Sequence, residues 1–148
     1  PTPITNIYFT PYLEGRNYLV GLNFSVTIFN SGTTIQVAQF TATVDSSGKL
    51  LMPSTISINS GTYDALVSTS YYLDRKVVSV SLVSNTTIPL PILKAGDLND
   101  DNSINSLDWS LMTTKWFTND PVSDFNRDGI VNSIDFSFMN SHWAEAGD

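Results

Sequence analysis

Asp97-Leu98-Asn99-Asp100-Asp101-Asn102-Ser103-Ile104-Asn105-Ser106-Leu107-Asp108 is followed 27 positions later by Asp124-Phe125-Asn126-Arg127-Asp128-Gly129-Ile130-Val131-Asn132-Ser133-Ile134-Asp135. Each run places side-chain oxygens at positions 1, 3, 5, 9 and 12 of a twelve-residue loop and leaves a backbone carbonyl at position 7, Ser103 or Ile130. That spacing lets a chain wrap a hard cation such as Ca2+, which takes roughly six to eight oxygens at about 2.3–2.6 Å. Position 6 has to turn through positive φ. It is Asn102 in one loop and Gly129 in the other, the two residue types that best tolerate left-handed backbone.

The duplication extends past the ligands. At the same offset Ser110 matches Ser137, Met112 matches Met139 and Trp116 matches Trp143, while Leu98/Phe125, Ile104/Val131, Leu107/Ile134 and Trp109/Phe136 match in kind. The repeated unit is a loop followed by a helix. The expected helices run from Asp108 to about Phe117 and from Asp135 to about Trp143, each with a carboxylate at the positive end of its dipole. No helix is expected before either loop. Pro89 and Pro91 hold the approach to the first loop extended, and Pro121 interrupts the approach to the second.

Residues 95–143 therefore resemble a type I dockerin domain, whose signature is a duplicated calcium loop with an exit helix, here GDLNDDNSINSLDWSLM and FNRDGIVNSIDFSFM. The resemblance implies a non-catalytic module that folds on two Ca2+ ions and docks onto a β-sandwich partner, a cohesin. It implies ligands Asp97, Asn99, Asp101, Ser103, Asn105 and Asp108, then Asp124, Asn126, Asp128, Ile130, Asn132 and Asp135. It also implies that partner choice is read at loop positions 10 and 11, Ser106-Leu107 and Ser133-Ile134, where many cellulosomal relatives carry Ser-Thr. Trp116 and Trp143 stand where that family often has basic residues, and they are candidate partner contacts.

Charge divides the chain in the same place. Residues 1–94 hold four acids and five bases, while residues 95–148 hold ten acids and two bases, +1 and −8, giving the net −7. Without metal, self-repulsion should keep the acidic part open. The expected domains are accordingly 1–94 and 95–148.

Residues 1–94 alternate with period two. Leu22, Phe24, Val26 and Ile28 share one face, as do Ala38, Phe40, Ala42 and Val44, with Asn30-Ser31-Gly32 and Asp45-Ser46-Ser47-Gly48 as turns. Further strands are expected over 63–73, 76–83 and 86–93. The fold class is an antiparallel Ig-like or transthyretin-like β-sandwich, followed by a small α domain with two loop-helix motifs. The Asp45–Gly48 turn, Gly61-Thr62-Tyr63 and the Tyr71-Tyr72 pair resemble carboxypeptidase-regulatory-like or Cna-B-like sandwiches. On a strand, only one of those two tyrosines could face inward. The segment from Ile4 to Thr10, ended by Pro11, reads as the sandwich's own first edge strand or as a strand donated to a neighbour.

Several functions are disfavoured. The only histidine is His142, cysteine is absent, and the aspartates that could act as acids or bases are committed to the loops, so the reading is not an enzyme. A net −7 chain repels nucleic acid. No run of roughly eighteen apolar residues would span a membrane. The start at Pro1 reads as a processed form or a fragment, and abundant calcium points to an extracellular or cell-surface home. Trp109, Trp116 and Trp143 read as packing between the exit helices, or alternatively as a sugar-binding or docking surface. Asn23-Phe24-Ser25 and Asn85-Thr86-Thr87 fit the N-glycosylation acceptor pattern. Two functional classes result: a docking module for a cohesin-like sandwich, or a filament or surface-layer subunit joining copies of itself head-to-tail or by strand donation. Carbohydrate binding is a weaker third.

Overall fold

The computed structural model describes residues 2–148. Strands β1 (Ile7–Leu13), β2 (Asn23–Asn30), β3 (Gln36–Thr43), β4 (Leu50–Leu51), β5 (Gly61–Ser68), β6 (Arg75–Leu82) and β7 (Thr86–Leu93) precede helices α1 (Ser106–Thr113) and α2 (Ser133–Ser141). The strands form two sheets, ordered β4-β1-β7 and β3-β2-β5-β6. The period-two alternation sets this arrangement. β2 and β3 pair in register from Asn23 opposite Thr43 to Ile28 opposite Ala38, which puts Phe24, Val26, Ile28 and Phe40 on the buried face. Phe9 of β1 meets Phe40 from the other sheet with ring centroids 5.9 Å apart. Buried Asp64 ties the β2–β3 turn to β6. Its carboxylate accepts the Ser79 and Gly32 N–H groups at 2.9 and 3.0 Å, and those bonds lower its pKa.

Three expectations change. The first strand runs through Pro11 to Leu13 and lies between β4 and β7, so it is neither an edge nor a strand available for donation. Met52 N–H bonds to the Ile7 carbonyl, so the odd positions of β1 face β4, and β4 pairs only with Tyr8 and Phe9. The donor that Pro11 lacks would point beyond the end of that short ladder, and nothing is lost. β5 ends at Ser68 rather than Leu73, because Tyr71 turns through φ 73° and the chain leaves the sheet. Tyr72 is buried and Tyr71 half-buried, but neither lies on a strand. Both helices begin two residues earlier than expected, for a reason given below.

By contact the described chain forms two compact units. One comprises residues up to Pro11, Tyr18–Ser68 and Arg75–Pro91; the other comprises Tyr12–Asn17, Thr69–Asp74 and Ile92–Asp148. The division expected at residue 94 treats each part as one continuous segment, whereas the second unit also gathers two short earlier segments. Its core is Leu93, Ala95, Leu98, Ile104, Met112, Phe125, Val131 and Met139, joined by Tyr72 edge-on to Phe125 at 6.0 Å.

Gly15 shows how closely one of those segments fits. It has φ 79°, and a methyl group there would lie 2.7 Å from the Phe125 carbonyl oxygen. Gly15→Ala should therefore destabilise the helical unit by roughly 1–3 kcal/mol through backbone strain alone. Thermal unfolding followed at the helix band should show a lower midpoint; an unchanged midpoint contradicts the packing.

Candidate functional site

The two loops fold alike. Asp97 at position 1 accepts the N–H groups of Asp101 and Asn102 at 3.1 and 2.8 Å, and Asp124 accepts those of Asp128 and Gly129 at 3.2 and 2.9 Å. Position 5 follows suit: Asp101 takes the Ser103 N–H at 3.0 Å and Asp128 that of Ile130 at 3.1 Å. Asn99 and Asn126 each donate a side-chain amide to the position-5 carboxylate, at 2.9 and 3.0 Å. The turns fall where the sequence requires them, with φ 64° at Asn102 and 93° at Gly129. Position 4 also takes positive φ, 57° at Asp100 and 61° at Arg127.

Positions 9 and 12 do more than the spacing suggested. Asn105 and Asn132 are the helix N-caps, accepting the N–H groups of Leu107 and Ile134 at 2.8 Å each. Asp108 and Asp135 are the third helical residues and reach back to the N-cap N–H at 2.8 and 2.9 Å, completing a capping box. Loop and helix are thus one hydrogen-bonded unit. This is why the helices start at Ser106 and Ser133 instead of at the aspartates.

The carboxylates at positions 1 and 12 of both loops are buried: Asp97, Asp108, Asp124 and Asp135. None is paired with a Lys, Arg or His among the described residues. Burial pushes the Asp97 carboxyl up to about 6, with like-charge repulsion from Asp108 and Asp100 working against the stabilising N–H bonds. Asp135 is raised for the same leading reason, with Asp124 adding repulsion. Buried acids facing one another without a counter-charge suit an added cation. The donor set is entirely hard oxygen, fitting Ca2+ over a thiophilic or imidazole-seeking metal. Among the described residues no acidic or histidine cluster forms a metal site by itself. The asparagine amides and the Ser103 and Ile130 carbonyls would be needed to complete each cage.

The two loops are locked crosswise. Ile104 at position 8 bonds through its N–H to the Glu145 carbonyl at 2.9 Å and accepts the Ala144 N–H at 2.8 Å. Its counterpart Val131 bonds to the Thr118 carbonyl and accepts the Phe117 N–H, both at 2.8 Å. Each loop therefore holds the segment trailing the other repeat's helix. Phe117 and Ala144, equivalent at the 27-residue offset, make matching turns with φ 61° and 65°. The first loop has extra anchors: Asp100 accepts the Tyr71 N–H at 2.6 Å and Asn102 that of Asp74 at 2.9 Å. The second loop has Arg127 and Gly129 at those positions.

The candidate docking residues lie on the surface. Leu107 is 57% exposed and Ile134 51%, with Ser106 and Ser133 exposed beside them. Leu111 follows Leu107 on the same face of α1 and is also exposed. The equivalent of Leu111 on α2, Phe138, is only half-exposed, because the Tyr12–Asn17 segment reaches it. A methyl at Gly15 would stand 3.4 Å from its ring carbon Cζ. The tryptophans divide. Trp109 packs on Phe136 with centroids 4.4 Å apart and edge-on to Trp116 at 5.6 Å, as expected for helix packing. Trp143 is 41% exposed and does not join that cluster. The glycosylation candidates Asn23 and Asn85 are exposed, Asn23 accepting the Thr43 hydroxyl and Asn85 sitting in the β6–β7 turn with φ 62°.

Sequence reading missed the polar cluster beside α2. His142 Nε2 lies 2.9 Å from both Glu14 carboxylate oxygens, and Glu14 also accepts the Ala95 N–H at 3.0 Å. Lys94 pairs with Glu145 at 2.5 Å, and this bond lowers the Glu145 pKa. The signal was only a lone histidine and two glutamates far apart in sequence.

Residues 95–144 match the sequence model of the type I dockerin domain family. Nearly the whole chain superposes on a chain in the crystal structure of an N-terminal interface mutant of a type II cohesin–X-dockerin complex from Acetivibrio cellulolyticus. The TM-score is 0.69 at 21% identity, covering 97% of each chain. A C-terminal interface mutant of the same kind of complex gives 0.69 at 20% identity over 97% of each. At these identities the likeness is one of fold. No curated protein matches the sequence.

The raised Asp97 has a measurable consequence. Its folded pKa, about 6, lies above the ordinary aspartate value of 3.8, so the metal-free fold takes up a proton that the unfolded chain does not. Metal-free stability should rise as pH falls from about 7.5 to about 5, the reverse of an ordinary salt-bridged aspartate. In excess chelator the helix signal, small at about pH 7.5, should grow over that range as the closed form is favoured, and Asp97→Asn should remove much of the increase. A helix signal that falls contradicts the arrangement.

Proposed function

We propose that this chain is a non-catalytic, calcium-stabilised assembly module, and that residues 95–148 dock onto a cohesin-like β-sandwich partner. Two Ca2+ ions would occupy the loops, one held by Asp97, Asn99, Asp101, Asn105, Asp108 and the Ser103 carbonyl. The other would be held by Asp124, Asn126, Asp128, Asn132, Asp135 and the Ile130 carbonyl. A bound ion supplies the counter-charge that the buried carboxylates lack and so converts capped loops into a rigid base for α1 and α2. Residues 1–94 serve as a spacing sandwich of the carboxypeptidase-regulatory-like or Cna-B-like kind. The setting is extracellular, where calcium is plentiful. No helix in the described chain is long and apolar enough to cross a membrane.

The observation that carries this reading is the exposed aliphatic pair at equivalent positions, Leu107 and Ile134, at the mouths of two capped helices in a segment matching the dockerin family. Leu107 with Leu111 on α1 forms an exposed aliphatic patch, and a few such side chains buried on docking can carry most of the binding energy of an interface. The two faces are not equal. α1 offers Leu107 and Leu111 together, whereas α2 has the Tyr12–Asn17 segment against Phe138 and Glu14 on His142. The α1 face is therefore the principal contact.

Calorimetry against type I and type II cohesin domains tests this. Binding should require calcium and vanish in chelator. Leu107→Asp should weaken it by about tenfold or more, since burying one aliphatic anchor is worth roughly 1.5–3 kcal/mol. Ile134→Asp should cost less, and neither should alter calcium binding. Cohesins of both types failing to bind in calcium, or Leu107→Asp binding as well as the parent, contradicts the reading.

A further inference from the structure

The two loops share a shape but not a setting. The Thr69–Asp74 segment runs beside the first. Leu73 donates its N–H to the Lys94 carbonyl at 2.9 Å, and Gly96 donates to the Tyr71 carbonyl at 3.3 Å, just ahead of the loop. Inside the loop Asp100 accepts the Tyr71 N–H at 2.6 Å and the Asn102 side chain accepts the Asp74 N–H at 2.9 Å. The segment after α2 reaches the same place. Gly147 donates its N–H to the Asn102 carbonyl at 2.9 Å, and a methyl group on Gly147 would overlap the Asn102 side-chain oxygen. Asn102 is thus half-buried, with both of its oxygens accepting bonds from outside the loop.

Positions 4 to 6 of the second loop have no such support. Arg127, Asp128 and Gly129 are all exposed, and among the described residues the hydrogen bonds of Asp128 and Gly129 stay within the loop. A methyl group at Gly129 would meet nothing within 4 Å. The loops differ in charge as well. Asp97, Asp100, Asp101 and Asp108 give the first loop four acids and no base, −4. Asp124, Asp128 and Asp135 with Arg127 give the second three acids and one base, −2.

We propose, on the strength of the calcium reading of both loops, that the two metal sites are unequal. The first loop holds its ion more tightly, with Asp100 and Asn102 as positioning residues that are not themselves ligands. Calcium affinity in loops of this kind is tuned by charge and by rigidity, and both differences point the same way. A loop already held in its bound shape loses less freedom when the ion enters. Asp100 adds a negative charge beside the first cage, where the second has the cation Arg127. Asn102 is then more than a stand-in for glycine at the left-handed turn, because its side chain ties the loop to Asp74. Coupling between the loops keeps the singly loaded chain scarce, and that small population carries its ion in the first loop. Release begins at the second, whose Val131 holds the Phe117–Thr118 segment behind α1.

Calcium titration calorimetry of the whole chain tests the proposal, using Asp124→Ala to leave the first loop and Asp97→Ala to leave the second. Each variant forfeits the same coupling, because linkage is reciprocal, so the remaining difference belongs to the loops themselves. Asp124→Ala should bind its ion roughly tenfold more tightly than Asp97→Ala. In the Asp124→Ala background, Asn102→Gly keeps the turn but removes the bond to Asp74, and should weaken binding about threefold or more at any salt concentration. Asp100→Asn keeps an acceptor for Tyr71 while removing the charge, so its loss should be clear at low salt and shrink as salt rises. Hydrogen exchange on the calcium-loaded parent needs no variant: the Asp128 and Gly129 amides should be less protected than the equivalent Asp101 and Asn102 amides. Equal affinities, a tighter second loop, unaltered binding in Asn102→Gly or equal protection of the two loops overturns the proposal and leaves the two-ion reading standing. A parent that binds no calcium overturns both.

Discussion

The backbone pairing of Ile104 with Ala144–Glu145, and of Val131 with Phe117–Thr118, is the constraint on which the helical unit depends. Each twelve-residue loop closes on the tail of the opposite repeat, so neither half is complete alone. Helices of eight and nine residues are too short to persist in isolation. Capping boxes fix their starts, the crossed bridges fix their ends, and between them Met112 and Met139 are brought into a shared core. A duplicated sequence thus gives an object whose two halves are mutually supporting.

That closure has an electrostatic cost. Among the described residues four buried carboxylates have no basic partner, and the N–H groups of their own loops are the main compensation. Backbone dipoles can orient these groups but cannot neutralise them. Occupancy by two divalent cations is the reading that balances the charge, and it explains why a segment with ten acids and two bases should adopt a closed fold. The sandwich unit faces no such difficulty. Its one fully enclosed acid, Asp64, has N–H donors on both sides and Lys76 3.9 Å away.

Much of this was legible in the sequence because the relevant signals are local. The matching hydrogen-bonded form of the two loops, the left-handed turns at Asn102 and Gly129, the absence of entering helices and the alternation of β2 and β3 all depend on neighbours within a few residues. What could not be read was set by distant partners. The strand expected to reach Leu73 stops at Ser68, and the released Thr69–Asp74 segment supplies N–H groups to Asp100 and Asn102 of the first loop. Pro11 looks like a strand terminator until the length of β4 is known. Glu14 and His142, 128 positions apart, carry no mutual signal. The same contact makes the two repeats unequal, since Tyr12–Asn17 covers part of α2 and leaves α1 open. Sequence symmetry predicted two equivalent docking faces, and tertiary packing leaves the two helix faces unequally exposed.

Both loops are proposed as metal cages, with the closure of each depending on the other. Native mass spectrometry during a calcium titration tests it most directly. Two ions should bind per chain, with the doubly loaded species dominating and the singly loaded one scarce, because filling one loop stabilises the segment that the other must grip. Saturation at one ion, no specific binding, or a long-lived singly loaded chain would contradict the account.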